Sequence, residues 1–214
     1  MAETKHKEMY DELINKYEIE YSAGGATQNT MRFCEWVLGK NNLCTVFLGC
    51  VGDDYFGKIM QENAKADGVK ALYQIDEEGT PTGTCAVCVT DNGKSRSLCA
   101  YLGASNKLSI EYLSQNWALV ENAEVFYTTG HVLAVSPQSA LKLAKYSHEW
   151  GKEFLFNLAA TYVSHKYSKE LMELLPFIDF FFGNADEVQS FATVKGYHVC
   201  LYENIKIVSF HRNF

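Results

Sequence analysis

Two glycines and an asparagine stand together in Ala23-Gly24-Gly25-Ala26-Thr27-Gln28-Asn29, at the mouth of an apolar-periodic segment. Glycine has no Cβ, so its backbone adopts φ > 0 and lets a ligand approach closely. The amides of a following helical turn point outward with partial positive charge, which suits an oxygen-rich ligand. The same residues also read as a plain turn, and Gly-Gly before a helix is more often that. Other residues carry the same two readings. Asn184-Ala185-Asp186-Glu187 is by itself a helix cap with acids in the first turn. Asp53-Asp54 invites acid/base chemistry, but a cap explains it. His131 reads as a satisfied core histidine or as a base, and Arg96 as an exposed hairpin residue or a phosphate partner. Cys85 and Cys88 have the spacing of a metal or redox pair. In a strand, however, residues three apart point to opposite faces, and no second pair exists, so no protein-ligated metal is expected.

The elements that must hold these residues are legible as periodicities. Residues 3–17 carry Met9, Leu13, Ile14 and Tyr17 at helical spacing, and Glu18–Tyr21 reads as a short extended piece. A helix with Met31, Cys34, Val37 and Leu38 follows the glycines and stops at Gly39. Thr45–Val51 is a near-continuous apolar run, as in a strand buried on both faces. A helix over 55–66 and a strand over 69–75 come next. Two extended runs, 81–90 and 96–102, flank Asn92-Gly93, a hairpin signal, and Cys85, Val87 and Val89 share one of its faces. Strands at 124–128, 154–158 and 177–182 then alternate with helices at Ser136-Pro137 (serine cap, proline in the first turn) and 167–175. Such alternation gives a parallel sheet with ligands at the carboxyl ends of its strands. Gly49–Gly52, Thr129–His131, Asn157-Leu158 and Gly183-Asn184 are expected on that edge. From His198 the rhythm is lost, although Ile205–Phe210 reads as a strand.

Composition narrows the classes. The chain has 214 residues, 47% of them hydrophobic and 21% charged, and a net charge of −7. This is ordinary globular composition with room for a core. With no Lys/Arg run and an acidic balance, a nucleic-acid surface is not expected. No apolar run reaches membrane-spanning length, and Met1–His6 lacks the apolar core of a signal peptide. Seven scattered cysteines suit a reducing compartment, cytoplasmic or nuclear.

Taken in order, the pieces are Ala23-Gly24-Gly25 with Asn29, Gly49–Asp54 with Phe56-Gly57, Pro81–Ala86, Arg96–Leu98, Asn116-Trp117, and Gly183-Asn184 with Glu187. So ordered, the chain closely resembles the ribokinase-like (PfkB) carbohydrate kinases and, among them, the adenosine kinases. The glycine and Asn-x-x-Glu motifs alone indicate the superfamily; Pro-Thr-Gly-Thr-Cys-Ala and Asn-Trp indicate the adenosine kinases. The likeness runs from about residue 5 to 197. It implies an α/β fold, a three-layer α/β/α sandwich with a mostly parallel central sheet and a small β lid near 81–102. Residues 1–197 would be one partial domain and 198–214 a divergent tail. It implies transfer of the γ-phosphoryl of ATP, with Mg²⁺, to the 5′-hydroxyl of adenosine, as in purine salvage, by a monomeric enzyme.

The resemblance also assigns roles. Gly24, Gly25 and Asn29 would meet the ribose hydroxyls. Cys85, Leu98, Ala100 and Leu102 would line the nucleoside pocket from the lid. His131 and Tyr162 stand where relatives often have phenylalanines near the purine. Arg96 would balance phosphate charge, and Asn184 and Glu187 would organise Mg²⁺ and its waters. Two family features are not found. The first is an opening strand whose aspartate holds the ribose. The second is the Gly-Ala-Gly-Asp motif, whose aspartate is the general base and whose amides form the anion hole. The expectation is therefore a chain truncated at both ends, with no catalytic residue of its own and inactive alone. A non-catalytic nucleoside-binding or regulatory protein and another sugar kinase of the superfamily are the alternatives.

Overall fold

The computed structural model describes residues 7–39 and 44–196; the tail 198–214, with the strand expected at 205–210, lies outside them. The chain divides into two compact units, Met1–Leu108 and Ser109–Phe214.

The first unit opens with α1 (Lys7–Lys16), whose Tyr10 hydroxyl donates to the Cys99 carbonyl at 2.6 Å. Ile14 and Tyr17, expected on an inner face, are more than half exposed, and no strand forms at 18–21. α2 (Ala26–Leu38) runs from Gly25 to Gly39, whose positive φ values of 103° and 88° end the helix at both sides. Its amphipathicity is inverted. Gln28 and Glu35, one heptad apart, are fully buried, while Phe33, Trp36 and Val37 face solvent. Glu35 is tolerated inside because its Oε1 accepts from the Thr45 amide and hydroxyl, both at 2.7 Å. Those bonds overcome its desolvation and keep its pKa below the usual carboxylate value.

β1 (Val46–Gly52) pairs in parallel with β2 (Lys70–Asp76), from Val46↔Lys70 to Gly52↔Asp76, and α3 (Tyr55–Ala66) makes the crossover. Only the carboxyl half of β1, Gly49–Gly52, is buried; Val46 is exposed. The expected hairpin forms as β3 (Thr84–Thr90) against β4 (Ser95–Tyr101), antiparallel and a sheet of its own. Its connection, residues 91–94, falls within the expected 91–95. Asp91, Asn92 and Gly93 all have positive φ (54°, 52°, 87°), a conformation that glycine, and less readily Asn and Asp, tolerate.

The second unit contains α4 (Ile110–Gln115), α5 (Trp117–Asn122), β5 (Val125–Thr129), α6 (Val132–Val135), α7 (Pro137–Glu149), β6 (Glu153–Asn157), α8 (Thr161–Lys166), α9 (Ser168–Leu174), β7 (Phe180–Phe182) and α10 (Ala185–Lys195). β5, β6 and β7 form one parallel sheet with β6 in the centre. Phe154, Phe156 and Phe181 are essentially inaccessible, and the Phe156 and Phe181 rings stack at 5.9 Å. β7 is shorter than the expected 177–182 because Pro176 sits in a tight turn over Leu175–Phe177. Ser136 starts α7 in place but does not cap through its side chain. Its hydroxyl pairs with that of Ser139 at 2.7 Å.

Candidate functional site

In the first unit, α2 begins at a glycine and without a side-chain cap. A Cβ on Gly24 would meet nothing within 4 Å, so the backbone there borders open space. Gly25 has the positive φ that favours glycine. Asn29 is exposed one turn into the helix. Its Oδ1 accepts from the Arg32 guanidinium at 3.2 Å; the same nitrogen donates to the Ala23 carbonyl at 3.1 Å, and Arg32 Nε pairs with Asp67. Beneath, Gln28 Oε1 accepts from the Tyr73 hydroxyl at 2.7 Å, and burial pushes Tyr73 up to about 12. Gln28 Nε2 is buried without a hydrogen-bond partner among the described residues.

The hairpin is rooted at Asp54, which caps α3. Its Oδ1 accepts from the Gly57 amide (2.8 Å) and the Thr82 hydroxyl (2.6 Å), and its Oδ2 from the Thr82 amide (2.7 Å). The Thr82 oxygen accepts in turn from the Gly52 amide at 3.0 Å. Backbone packs so tightly here that a Cβ on Gly57 would lie 2.3 Å from the Gly52 carbonyl oxygen. Above this root, register puts Cys85 opposite Ala100, Val87 opposite Leu98 and Val89 opposite Arg96. Directly opposed residues share a face, so Cys85, Leu98, Ala100 and Arg96 are brought together on one side of the ribbon. Cys88 is opposite Ser97, on the other face. Cys85 is exposed, and partial desolvation by its neighbours holds its thiol above its usual pKa. Arg96 is exposed and has no carboxylate partner among the described residues. Leu102, just past β4, is half-buried and its carbonyl is taken by Ser105.

In the second unit, Thr129, Asn157 and Phe182 lie side by side in register at the strand ends. Gly130 continues the edge, donating to the Asn157 carbonyl at 2.7 Å. A Cβ there would come within 2.4 Å of the Leu158 oxygen. Ala159, a non-glycine with φ of 62°, has its amide held by Asn157 Oδ1 at 2.9 Å. Beyond Gly130, His131 Nδ1 and the Tyr162 hydroxyl are 2.9 Å apart, their rings 6.1 Å centre to centre. The imidazole is open to solvent on one side. Packing on the other desolvates it and holds its pKa below the usual value, against the opposing pull of the Glu187 charge. Desolvation and Tyr167 raise Tyr162. Asn184 and Glu187 form a capping box on α10. Asn184 Oδ1 accepts from the Glu187 amide, and Glu187 accepts from the Asn184 amide and side-chain NH₂, at 2.9–3.1 Å. Glu187 is only 8% exposed, and both its oxygens are engaged by Asn184.

Sequence reasoning thus found the two helix starts and the hairpin face but missed Arg32, Gln28 and Thr82. Arg32 had one local signal, its three-residue spacing from Asn29; its other partners, and those of Gln28 and Thr82, are remote in sequence. Among the described residues no three His, Cys, Asp or Glu side chains gather as metal ligands, and no helix is long and apolar enough to cross a membrane.

Comparison with known proteins adds to this geometry. The family model described as pfkB family carbohydrate kinase matches residues 1–206. Adenosine kinase 1 of Arabidopsis thaliana is 40% identical over 209 residues, 97% of this chain and 60% of that protein. The crystal structure of Anopheles gambiae adenosine kinase in complex with P1,P4-di(adenosine-5) tetraphosphate aligns with a TM-score of 0.83 and 41% identity, over 91% of this chain and 58% of that one. Schistosoma mansoni adenosine kinase in complex with adenosine, in an occluded loop conformation, aligns with a TM-score of 0.85 and 38% identity, over 91% and 56%. The chain therefore spans a little over half the length of these relatives, and its α/β fold is theirs.

Proposed function

Because the chain belongs to the pfkB family of carbohydrate kinases, we propose that it supplies the nucleoside-holding part of an adenosine kinase, which passes the γ-phosphoryl of ATP to the 5′-hydroxyl of adenosine. The observation that carries this is the continuous 40% identity to an adenosine kinase over 97% of the chain. The local geometry agrees with it. Gly24 and Gly25 offer backbone amides and Asn29 a carboxamide to ribose hydroxyls, and a site built to bond a diol rejects ligands that lack it. Cys85, Leu98, Ala100 and Leu102 offer the base an apolar wall, and His131 with Tyr162 offers it aromatic faces. Arg96 is an exposed cation, without a carboxylate partner among the described residues, and is suited to phosphate.

Mg²⁺ would travel with the ATP phosphates. Glu187 and Asn184 fit it only through intervening water, since each already occupies the other; the ion would offset phosphate charge. The Gly-Ala-Gly-Asp motif does not occur among the 214 residues. We therefore infer that this chain by itself binds without turnover, since a positioned base and anion hole are worth several orders of magnitude in rate. One partial domain over 1–197, a divergent tail, a monomeric state and a cytoplasmic or nuclear setting complete the proposal; with a net charge of −7, no nucleic-acid partner belongs to it.

Calorimetric titration with adenosine, ribose and fructose, beside an assay of labelled phosphate transfer from ATP, tests it. Saturable adenosine binding with background transfer is expected. Binding of ribose or fructose but not adenosine would point to another sugar kinase, and turnover of adenosine would remove the inference of inactivity.

A further inference from the structure

Arg32 holds three groups at once: the Ala23 carbonyl just before the glycines, the Asn29 side chain, and the Asp67 carboxylate that follows α3. A guanidinium only donates. The Asn29 atom facing it must therefore be the carboxamide oxygen, and no side chain or carbonyl among the described residues bonds its NH₂, on the exposed side of α2. We propose that Arg32 is a positioning residue that fixes the hydrogen-bonding polarity of Asn29, so that Asn29 can only donate to a ligand. This rests on the reading of Asn29 as a ribose contact. It deepens that reading, because it says which partner the ribose must be. The hydroxyl opposite Asn29 accepts there and must send its own proton to another group. A freely rotating asparagine could serve a donor or an acceptor equally; one clamped through its oxygen cannot.

The geometry also gives Arg32 a reason to be arginine. A lysine's single nitrogen can meet the Ala23 and Asn29 oxygens or the Asp67 carboxylate, but it has no second nitrogen in a rigid plane to hold both sets at once, as Arg32 does through Nη1 and Nε. Arg32 is only partly exposed, at 31% of its side chain, so its bonds are partly shielded from water.

The test uses the whole chain. Adenosine, 2′-deoxyadenosine and 3′-deoxyadenosine are titrated into the wild type, Arg32→Lys and Asn29→Asp. Asn29→Asp is isosteric and pairs with Arg32 at least as well, but it has no donor for the ligand. Both variants are expected to weaken adenosine by about tenfold, the scale of one hydrogen bond. The loss is expected to vanish for whichever deoxynucleoside lacks the hydroxyl that Asn29 serves. Adenosine affinity within twofold of wild type in both variants, or equal losses for all three nucleosides, would overturn the proposal. A second readout needs no ligand: the heteronuclear NOE of the Asn29 side-chain amide should show an ordered NH₂ in the wild type and a mobile one in Arg32→Lys. If no nucleoside binds the wild type, the proposed function fails. The inference about Arg32 then stands on that ordering and falls if the amide is equally ordered in both.

Discussion

Replacing Asp54 with alanine should detach the root of the hairpin, and the size of the effect can be worked from its bonds. The carboxylate accepts from the Gly57 amide, the Thr82 amide and the Thr82 hydroxyl, at 2.6–2.8 Å. Thr82 is 3% exposed, so its amide is left unsatisfied in the interior, at about 1–3 kcal/mol. Loss of the α3 cap adds about 1 kcal/mol, and the stranded hydroxyl about 1 more. The sum, about 3–5 kcal/mol, is a large share of the total stability of a domain. Thr82→Val removes the hydroxyl and strands the Gly52 amide, at about 2 kcal/mol. Since both substitutions break the same oxygen–oxygen bond, the double variant should cost at least about 1 kcal/mol less than their sum. Urea unfolding of the four proteins measures this. An Asp54→Ala loss under about 1 kcal/mol, or strict additivity, would refute the reasoning.

The same bonds fix a pH signature. Burial alone would raise the Asp54 carboxyl, but bonds from Thr82 and Gly57 outweigh it and hold the folded pKa below its ordinary value. A carboxylate with a depressed folded pKa stabilises fully above the unfolded value of about 3.9 and loses that contribution as pH falls through the folded one. The gap between wild type and Asp54→Ala should thus be flat from pH 8 to 5 and close only below about pH 4.

Three further outcomes follow from geometry. Gly130→Ala would press a methyl to 2.4 Å from the Leu158 oxygen and 2.9 Å from Val163; a loss of about 2 kcal/mol or more is expected in thermal melts, and a melt unchanged from wild type would contradict that packing. His131, with its folded pKa lowered by desolvation, contributes stability that is complete above about 6.5 and is lost as pH falls through the lower folded value. NMR titration of its ring should place the midpoint below that of a free histidine and move it further down in Glu187→Gln, since the Glu187 carboxylate works against the shift; an upward move would refute this. Glu187→Ala breaks the capping box and should cost about 1–2 kcal/mol by urea unfolding; a negligible change would mean the box contributes nothing to α10.

How much of this was legible varies by element for physical reasons. α3 was read to its ends because Asp54, the helical period and the following turn all act within a few residues. The strands of the second unit were read because a central parallel sheet needs long apolar runs. α2 was read in place but turned the wrong way round. Its apolar period marked Val37 and Leu38 as inner positions, yet Gln28 and Glu35 are inside. They can be there because Tyr73 and Thr45 supply their hydrogen bonds, and nothing in the local sequence announces such partners. The site followed the same rule. Gly24, Asn29 and the Asn184–Glu187 box declare themselves by type and spacing. Arg32 depends on Ala23 and Asp67, and Thr82 on an aspartate 28 residues away, so their roles emerge only in three dimensions.

The two kinds of sheet in this chain also keep time differently. β6 is bonded on both sides, by β5 and β7, and carries two phenylalanines with no accessible surface. Its amide protons can trade with deuterium only when the whole sheet opens. The ribbon of β3 and β4 has one partner per strand and side chains such as Val89 and Leu98 about 60% exposed, so its amides trade through local fraying. A nucleoside that settles the ribbon would slow the fast clock and leave the slow one untouched. Deuterium uptake at Val87 and Phe156, followed together, therefore separates ordering of the hairpin from any general gain in stability.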